Sequence, residues 1–477
     1  MLTALDKTNR ETEAPPGLAW EEAFGWAETR RTRSLVARPA SVEECLRVIR
    51  FARSEGLTIC PRGGGYSYAD MILNDGQILL DTCRMDRILR WDEKEGVLTV
   101  EPGVTLGQML RRSLPAGWTI PASVGGLGLT AAGGVSNNVH GKDCWKLGNF
   151  GEHVLELKLL TAEGQILEVS RRSHPELFRA VVGGMGLLGV IVEMTFRLQR
   201  VPSPFVEVEN RPARSLKELL EIFEASLNQA DFAVAWVDAF AAGNHLGRGF
   251  VTTARWVESD RKMDEQEFLS TLEVPSRLFG VLPARATWKA FRPFYGPALV
   301  RRANAVQHWM ARSAGRTRRR QLFTDYNFMH NRIPHLKEIY RPHGLLEFQP
   351  LIPRENALEG ISEIFRLCQR EGTQSLLCGL KLHRSDDFFL SYSGAGYSFG
   401  IDVARRGRDP RRLDRFARGL YEKVIGLGGR IYLAKDELLP RDIFKRMYPA
   451  FPEFLRIKRS VDPEGLFASD MYRRLMD

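Results

Sequence analysis

Two glycine-rich segments about seventy residues apart carry the residues best suited to chemistry in this chain of 477 residues. The first runs from Arg62 to Tyr68 (RGGGYSY) and the second from Gly133 to Lys142 (GGVSNNVHGK). Glycine lets backbone N–H groups turn toward an anion and lets the chain approach it closely, as a bound pyrophosphate requires. The two segments therefore predict a nucleotide cradle built from separate loops.

The elements around the first segment must position that cradle. A helix is predicted to begin at a capping box, Ser41 to Glu44, and to stop at Gly56. A short strand, 57–60, then leads directly into the glycines. Strands over 77–81 and 97–101 and a helix over 106–114 are predicted to follow.

A third glycine run, 183–189, fits the fingerprint of nicotinamide dinucleotide sites. That fingerprint needs a strand before it and a helix after it. The sequence predicts a helix over 175–182 and a strand over 190–198, which is the reverse order. The run is therefore not assigned to a nicotinamide dinucleotide site.

The order of helix, strand, glycine loop, two strands and helix resembles the flavin domain of the vanillyl-alcohol oxidase / p-cresol methylhydroxylase superfamily, and 183–195 resembles the segment that closes that domain. Segments 428–436 and 462–471 resemble a subgroup that oxidises polyprenyl-phosphate pentoses. Further matches in the substrate domain are Ala235–Ala239, Phe348-Gln349 and Lys381-Leu382. The resemblance runs from about 35 to 475 and is weakest between 207 and 331.

The resemblance implies an α+β fold, in which a p-cresol methylhydroxylase-type FAD-binding domain (1–201) is joined to a substrate domain (202–428) with an antiparallel sheet. Residues 429–477 are expected to return to the FAD domain. The proline pair Pro202 and Pro204 marks the first boundary. Alternating patterns in the second domain predict strands over 232–240, 345–351, 376–382 and 397–403 and helices over 216–227 and 357–370.

The resemblance also implies FAD as the cofactor. Tyr66 occupies the position at which covalently flavinylated relatives carry the histidine bonded to the ring, so noncovalent FAD is expected. The residues expected to bind FAD are Arg62, Gly63, Gly64, Gly65, Tyr66, Ser67, Tyr68, Gly125, Gly126, Gly133, Asn138, His140, Gly141, Gly189, Ile191 and Tyr432.

The implied activity is oxidation of a secondary alcohol of a sugar by hydride transfer to flavin N5. Oxidation of a sugar lactone or polyol and reduction of an isolated double bond are the alternatives. The expected catalytic residues are Lys435, Tyr68 and His140. The expected substrate contacts are Trp236, Gln349, Lys381, Ser398 and Lys435.

Several of these roles stay open at the level of sequence. Lys435 suits three tasks: orienting the hydroxyl, stabilising negative charge on reduced flavin, or acting as a base. His140 is either a structural histidine or one that tunes proton transfer, and Trp236 is either an apolar wall or core. Ser398, Gly400 and Glu347 depart from the asparagine, cysteine and glutamine of the subgroup, which leaves the substrate open.

The distribution of charge along the chain narrows the classes of binding partner. Of the 68 Lys and Arg, eleven lie between Arg277 and Arg320 with no Asp or Glu, whereas the remaining 57 basic and 58 acidic residues nearly cancel. Aromatic residues are interleaved with this basic stretch, among them Phe279. The pattern predicts either peripheral contact with an anionic membrane or a solvated loop, and no nucleic-acid module is recognised.

The six cysteines lack metal or disulfide spacing, no metal site is predicted, and no apolar run reaches membrane-spanning length. We therefore expect a cytoplasmic protein, peripheral at the inner membrane face. Its substrate would be a sugar or lipid-linked sugar, and the epimerase role implied by the resemblance adds a short-chain reductase as partner.

Overall fold

The computed structural model describes residues 15, 17–259, 263–278, 281–328, 333–375 and 377–477. Residues 1–14 of the predicted first domain, Phe279 of the basic stretch and Leu376 of a predicted strand lie outside the described residues. Helices and largely antiparallel sheets alternate along the chain, which confirms the α+β class. None of the described helices is long and apolar enough to cross a membrane.

The strands of the described residues are β1 (Ala19–Phe24), β2 (Arg31–Ala37), β3 (Ile59–Arg62), β4 (Ile78–Asp81), β5 (Ile88–Asp92), β6 (Val97–Val100), β7 (Trp118–Thr119), β8 (Val154–Leu160), β9 (Ile166–Ser170), β10 (Val190–Arg197), β11 (Gln199–Arg200), β12 (Phe205–Ala213), β13 (Phe232–Val237), β14 (Gly249–Trp256), β15 (Arg277–Leu278), β16 (Leu282–Pro283), β17 (Thr317–Leu322), β18 (Leu345–Phe348), β19 (Pro350–Pro353), β20 (Cys378–His383), β21 (Gly396–Phe399), β22 (Ile401–Ala404) and β23 (Arg430–Ile431).

The helices are α1 (Val42–Glu55), α2 (Leu106–Ser113), α3 (Ala131–Ser136), α4 (Cys144–Leu147), α5 (Pro175–Val181), α6 (Leu216–Ser226), α7 (Glu265–Thr271), α8 (Ala284–Phe291), α9 (Pro297–Ala314), α10 (Phe323–Asn327), α11 (Ala357–Glu371), α12 (Pro410–Gly426), α13 (Arg441–Met447), α14 (Phe451–Val461) and α15 (Asp470–Leu475).

Two sheets carry the N-terminal part of the chain. One has the order β1-β2-β4-β3, with β2, β4 and β3 parallel, and the other is antiparallel with the order β5-β6-β10-β8-β9. Strand β3 ends at the first glycine segment and β10 begins directly after the third glycine run. The two sheets therefore deliver these loops to the same cleft.

An eight-stranded antiparallel sheet with the order β17-β12-β14-β13-β20-β21-β19-β23 carries the later residues. Beside it, β18 pairs with β22. The predicted strands over 345–351 and 397–403 are each two strands, broken at Gln349 and Gly400. The break has a topological reason: at Gln349 the chain leaves the β18–β22 pair for the large sheet, and at Gly400 it leaves the large sheet for that pair.

Helix α1 confirms the predicted helix before the first glycine segment. It buries Cys45, Val48, Ile49 and Ala52 and ends at Gly56, whose φ of 65° suits glycine. The capping box is only half formed. Ser41 Oγ accepts from the Glu44 N–H, but the Glu44 carboxylate accepts from the N–H of Ala40 instead of Ser41.

The third glycine run lies between α5 and β10, so the predicted reverse order of elements is confirmed. Its tight path uses positive φ at Met185 (58°), Gly186 (75°) and Gly189 (152°). An added Cβ on Gly189 would lie 2.5 Å from the Leu160 carbonyl oxygen. The run is therefore a close-approach turn and not the start of a dinucleotide-binding helix.

Candidate active site

A cleft lies where the three glycine runs meet. The lining residues are Pro61, Arg62, Gly63, Gly64, Gly65, Tyr66, Ser67, Met71, Ile72, Thr82, Leu129, Thr130, Ala132, Gly133, Ser136, Asn137, Met185, Gly186, Gly189, Val190 and Ile191. Nine of the residues expected to bind FAD are among them: Arg62 to Ser67, Gly133, Gly189 and Ile191.

The first glycine segment has room for nothing larger than glycine. A Cβ on Gly63 would lie 2.1 Å from Thr130 Oγ1, and one on Gly64 would lie 2.5 Å from the Gly128 carbonyl oxygen. Gly65 has a φ of 73°, which favours glycine. Residues 125–142, called the second loop below, therefore include a part that lies directly against the first glycine segment, and this close approach explains the glycines.

Backbone N–H groups without an acceptor line the first glycine segment. The N–H groups of Gly64, Gly65, Tyr66 and Ser67 donate no hydrogen bond to any described residue. The guanidinium of Arg62, whose Nη2 donates to the Phe24 carbonyl oxygen at 3.1 Å, lines the same cleft. Consecutive free N–H groups beside a cation form an anion-binding concavity, so the residues present fit the pyrophosphate of FAD.

Tyr66 is 39% exposed and packs on the second loop. A Cβ on Gly126 would lie 3.0 Å from Tyr66 Cε1, and one on Gly128 would lie 2.5 Å from its hydroxyl oxygen. Burial raises the pKa of the Tyr66 phenol. Gly125 and Gly126 thus belong to the loop that contacts Tyr66, although neither lines the cleft.

Asn138 and Gly141 act inside the protein framework. Asn138 is 2% exposed, and its amide donates to Asp386 Oδ2 at 2.8 Å and to Ser391 Oγ at 3.0 Å. A Cβ on Gly141 would lie 2.2 Å from Asp143 Oδ1. Both residues shape the second loop rather than line the cleft.

The reactive end of the site gathers around Lys435. Its ammonium forms an ion pair with Glu347 and lies 4.6 Å from the centre of the Tyr68 ring. Tyr68 follows the cleft-lining Ser67, and the charge of Glu347 acts on its hydroxyl. Burial and then the nearby carboxylates raise the pKa of Tyr68 well above its usual range. Lys435 and Tyr68, predicted as catalytic residues, are thus brought together.

His140 forms the second group at this end. Its Nε2 is 3.0 Å from Gln349 Nε2. Burial, followed by the charges of Lys381, His383 and Lys435, lowers the pKa of His140 well below its usual range. The ring is therefore neutral and accepts the amide hydrogen of Gln349 at Nε2. Its Nδ1 then carries the hydrogen and has no acceptor among the described residues.

Tyr432 joins this group to the cleft. Its ring centre lies 5.4 Å from that of His140. Its hydroxyl donates to the carbonyl oxygen of Asn137, a cleft-lining residue, at 3.1 Å. Tyr432 therefore links the histidine group to a residue that lines the cleft, although neither His140 nor Tyr432 lines it.

Trp236, Lys381 and Ser398 share one face of the large sheet. Gly379, two residues before Lys381, pairs with Trp236, and Lys381 itself pairs with Ser398. The ammonium of Lys381 makes no hydrogen bond or ion pair with a described residue, and burial lowers its pKa. Trp236 stacks on Phe250 with ring centres 5.3 Å apart. The structure thus leaves a lysine available at this face.

Several residues at this end were not predicted as site residues. His383 lies 4.6 Å from His140 between ring centres, and its Nε2 is 2.8 Å from Ser398 Oγ. Asp402 stands opposite Glu347 in the β18–β22 pair. The sequence signal for Asp402 was the alternation of a strand, which places residues 400 and 402 on one face but does not identify the strand that pairs with them.

Among the described residues, His140, Cys144 and His383 bring metal-binding atoms within 4.8 Å of one another. The charge of Lys381 lowers the pKa of both histidines after burial does, and Cys144 Sγ donates to the Leu382 carbonyl oxygen. A cation would face an ammonium here, so the group is better explained by hydrogen bonding.

Comparison with known proteins agrees with this geometry. Residues 34–170 match the family model described as an FAD binding domain. Over 468 residues the chain is 29% identical to decaprenylphosphoryl-beta-D-ribose oxidase of Mycolicibacterium smegmatis, covering 95% of this chain and 96% of that protein. It is 26% identical to L-gulonolactone oxidase of Bos taurus over 90% of this chain and 92% of that protein.

The chain carries an FAD binding domain and is an FAD-dependent oxidoreductase. A third relative, L-gulono-1,4-lactone dehydrogenase of Mycobacterium tuberculosis, is 24% identical over 93% of this chain and 96% of that protein. The three relatives align with 90–95% of the chain.

Proposed function

We propose that this flavoenzyme oxidises a secondary alcohol of a sugar, with a polyprenyl-phosphate pentose as the substrate. The supporting observation is the ion pair of Lys435 with Glu347, held against Tyr68 at the end of the glycine-lined cleft. Bound FAD would supply a two-electron acceptor at flavin N5. The relative that acts on decaprenylphosphoryl-beta-D-ribose supports the substrate class.

The chain's own residues would then handle the hydroxyl group. Lys435 carries a positive charge that orients the hydroxyl oxygen, and the Glu347 carboxylate, an acceptor only, is the group that takes the hydroxyl proton. Neutral His140 holds the Gln349 amide by one hydrogen bond, and both are proposed to position the sugar. Lys381 is proposed to bind the phosphate, since its ammonium is without a partner among the described residues.

The test is anaerobic flavin reduction followed by stopped-flow absorbance. Lys435→Met should retain FAD and reduce the rate about 10²- to 10⁴-fold, the usual scale for a positioned acid–base group. Lys158→Met is the matched control, because Lys158 pairs with Glu193 at 3.0 Å on the surface. Equal rates for the two variants would exclude Lys435 from the chemistry.

A sugar lactone is the second substrate class, and the L-gulonolactone oxidase relative favours it. The same assay separates the two. A short prenylphosphoryl β-D-ribofuranose and L-gulono-1,4-lactone are compared at equal concentrations, and the substrate with the higher kcat/KM identifies the class.

We propose that FAD is bound noncovalently, because Tyr66 offers a phenol in place of a histidine.

We also propose that the chain is divided into domains 1–201, 202–428 and 429–477. The division is supported by the eight-stranded sheet, whose first strand along the chain is β12. The return of the last segment is supported by the bridge between Ile59 and Phe467 and by the Arg474 guanidinium on Asp70. Strand β23, at the start of that segment, still pairs with β19.

We also propose that α9 and its surroundings contact an anionic membrane. Helix α9 is held through Val300, Asn304 and His308, whereas Trp309 and Met310 on its outer side are 66% and 59% exposed. Arginines flank these residues, which is the pattern of an interfacial helix. Val300 shares a hydrophobic cluster with Tyr68, so this surface lies beside the reactive end and suits a lipid-linked substrate.

The setting of the reaction is a further part of the proposal. All six cysteines are free, which supports a reducing, cytoplasmic location at the inner membrane face. Oxidation of a secondary alcohol leaves a ketone, and a short-chain reductase is proposed as the partner that consumes it. Co-purification of such a reductase with the tagged enzyme tests this partner.

A further inference from the structure

A pair of carboxyl groups stands at the reactive end beyond the residues assigned above. Glu347 of β18 and Asp402 of β22 are direct partners across an antiparallel pair, so their side chains share a face. They are 7% and 8% exposed. A Cβ on Gly400 would lie 3.4 Å from Glu347 Oε1 and 3.9 Å from Asp402 Oδ1. Both carboxyl groups therefore border the space that Gly400 leaves open.

The two carboxyl groups differ in their partners. Glu347 forms an ion pair with Lys435. The carboxyl group of Asp402 has no hydrogen bond or ion pair with any described residue. Its Oδ1 borders the space beside Gly400. A ligand that enters this space can therefore supply the missing hydrogen-bond partner.

The charges around Asp402 decide its protonation state. The titratable groups that face it are Glu347, Lys435, Tyr68, Tyr295, Tyr340 and Cys378. Burial and then the charge of Glu347 raise the pKa of Asp402 well above its usual range, while Lys435 opposes the rise. Two adjacent carboxyl groups resist double ionisation, so Asp402 keeps a proton while Glu347 is ionised and paired.

We propose that Asp402 and Glu347 bind two adjacent hydroxyl groups of the sugar, Asp402 as hydrogen-bond donor and Glu347 as acceptor. A protonated carboxyl group donates and an ionised one only accepts, so the pair is complementary to a diol. The inference rests on the proposed function and narrows it to substrates with a second hydroxyl next to the oxidised carbon. Asp402 is then a specificity-determining residue.

The test compares Asp402→Ala and Asp402→Asn with the wild-type holoenzyme. The probes are a short prenylphosphoryl β-D-ribofuranose and its 2-deoxy and 3-deoxy analogues. The analogue that still reduces the flavin retains the hydroxyl that is oxidised and lacks the adjacent one, so it is the reactive deoxy analogue used below. Asp402→Ala should weaken binding of the diol about 10- to 100-fold, the scale of one buried hydrogen bond. Its binding of the reactive deoxy analogue should be unchanged. Asp402→Asn, which still donates, should restore the preference for the diol.

The pH profile adds a second measurement. Wild-type affinity for the diol should fall as pH rises through the pKa of Asp402, because the donor hydrogen is lost there, whereas the Asp402→Asn profile should lack this fall. Equal loss of affinity for diol and deoxy analogue, or no loss in Asp402→Ala, would overturn the inference. If no sugar alcohol reduces the wild-type flavin, the proposed function fails instead, so the two failures are distinguishable.

Discussion

Replacing Lys458 by methionine should lower the free energy of unfolding by about 3–5 kcal/mol, the cost of removing one member of a buried ion pair. Lys458 lies in α14, and its ammonium donates to Asp462 Oδ2 at 2.7 Å and to the carbonyl oxygens of Leu187 and Phe467 at 2.8 Å each. The side chains of the pair are 2% and 0% exposed. Methionine fills similar space but leaves the Asp462 charge and both carbonyl oxygens without this donor.

The chain offers a matched control with the same sequence spacing. Lys217 and Glu221 are also four residues apart, but their atoms are 3.9 Å apart and the side chains are 72% and 63% exposed. Exposed helix pairs of this kind contribute about 0.3–0.5 kcal/mol. Lys217→Met should therefore change stability by roughly a tenth of the effect of Lys458→Met.

The assay is urea unfolding of the holoenzyme, followed by far-ultraviolet circular dichroism. A double variant, Lys458→Met with Asp462→Asn, should regain part of the loss because the unpaired charge is gone. Leu187 belongs to the third glycine run, so Lys458→Met should also release FAD faster. A loss for Lys458→Met no larger than that for Lys217→Met would refute the reasoning.

Three further outcomes are expected. Acid precipitation should release FAD into the supernatant, because Tyr66 cannot form a histidyl linkage, whereas flavin retained in the pellet would show a covalent bond. A variant with four exposed arginines neutralised, Arg301, Arg302, Arg319 and Arg320, should no longer bind anionic vesicles. Its KM for a lipid-linked substrate should rise, whereas its turnover of a short soluble analogue should be unchanged. Unaltered vesicle binding would show that this surface is only solvated. Arg318 is left intact, because it pairs with Glu209 at 2.7 Å. Burial raises the pKa of Asp386 from 3.8 to about 6, so its contribution to stability is full below the unfolded pKa and is lost as pH rises through about 6. Asp386→Asn should therefore gain stability over wild type between about pH 4 and about pH 7 in urea titrations. A difference that stays constant over this range would contradict the prediction.

Much of the local structure follows from sequence patterns alone. Helix α1, the glycine segment after β3 and the order of α5 before β10 each depend on signals carried within a few residues. The sequence explained the glycines by close approach of the backbone to an anion, and the structure adds the contact of Gly63 and Gly64 with residues 128–130. Tyr66 in place of histidine is likewise visible without a structure.

Contacts between distant segments were beyond these patterns. The partner of Lys435 is Glu347, 88 residues away, and Asp402 meets Glu347 only because β18 and β22 pair after both chains change sheets. Alternation defines which residues share a face of one strand, but it does not specify which strand lies opposite. The sequence by itself therefore determined the cofactor cradle and its elements, whereas only the tertiary structure decided which charges meet at its end, because strand pairing and burial set those charges together.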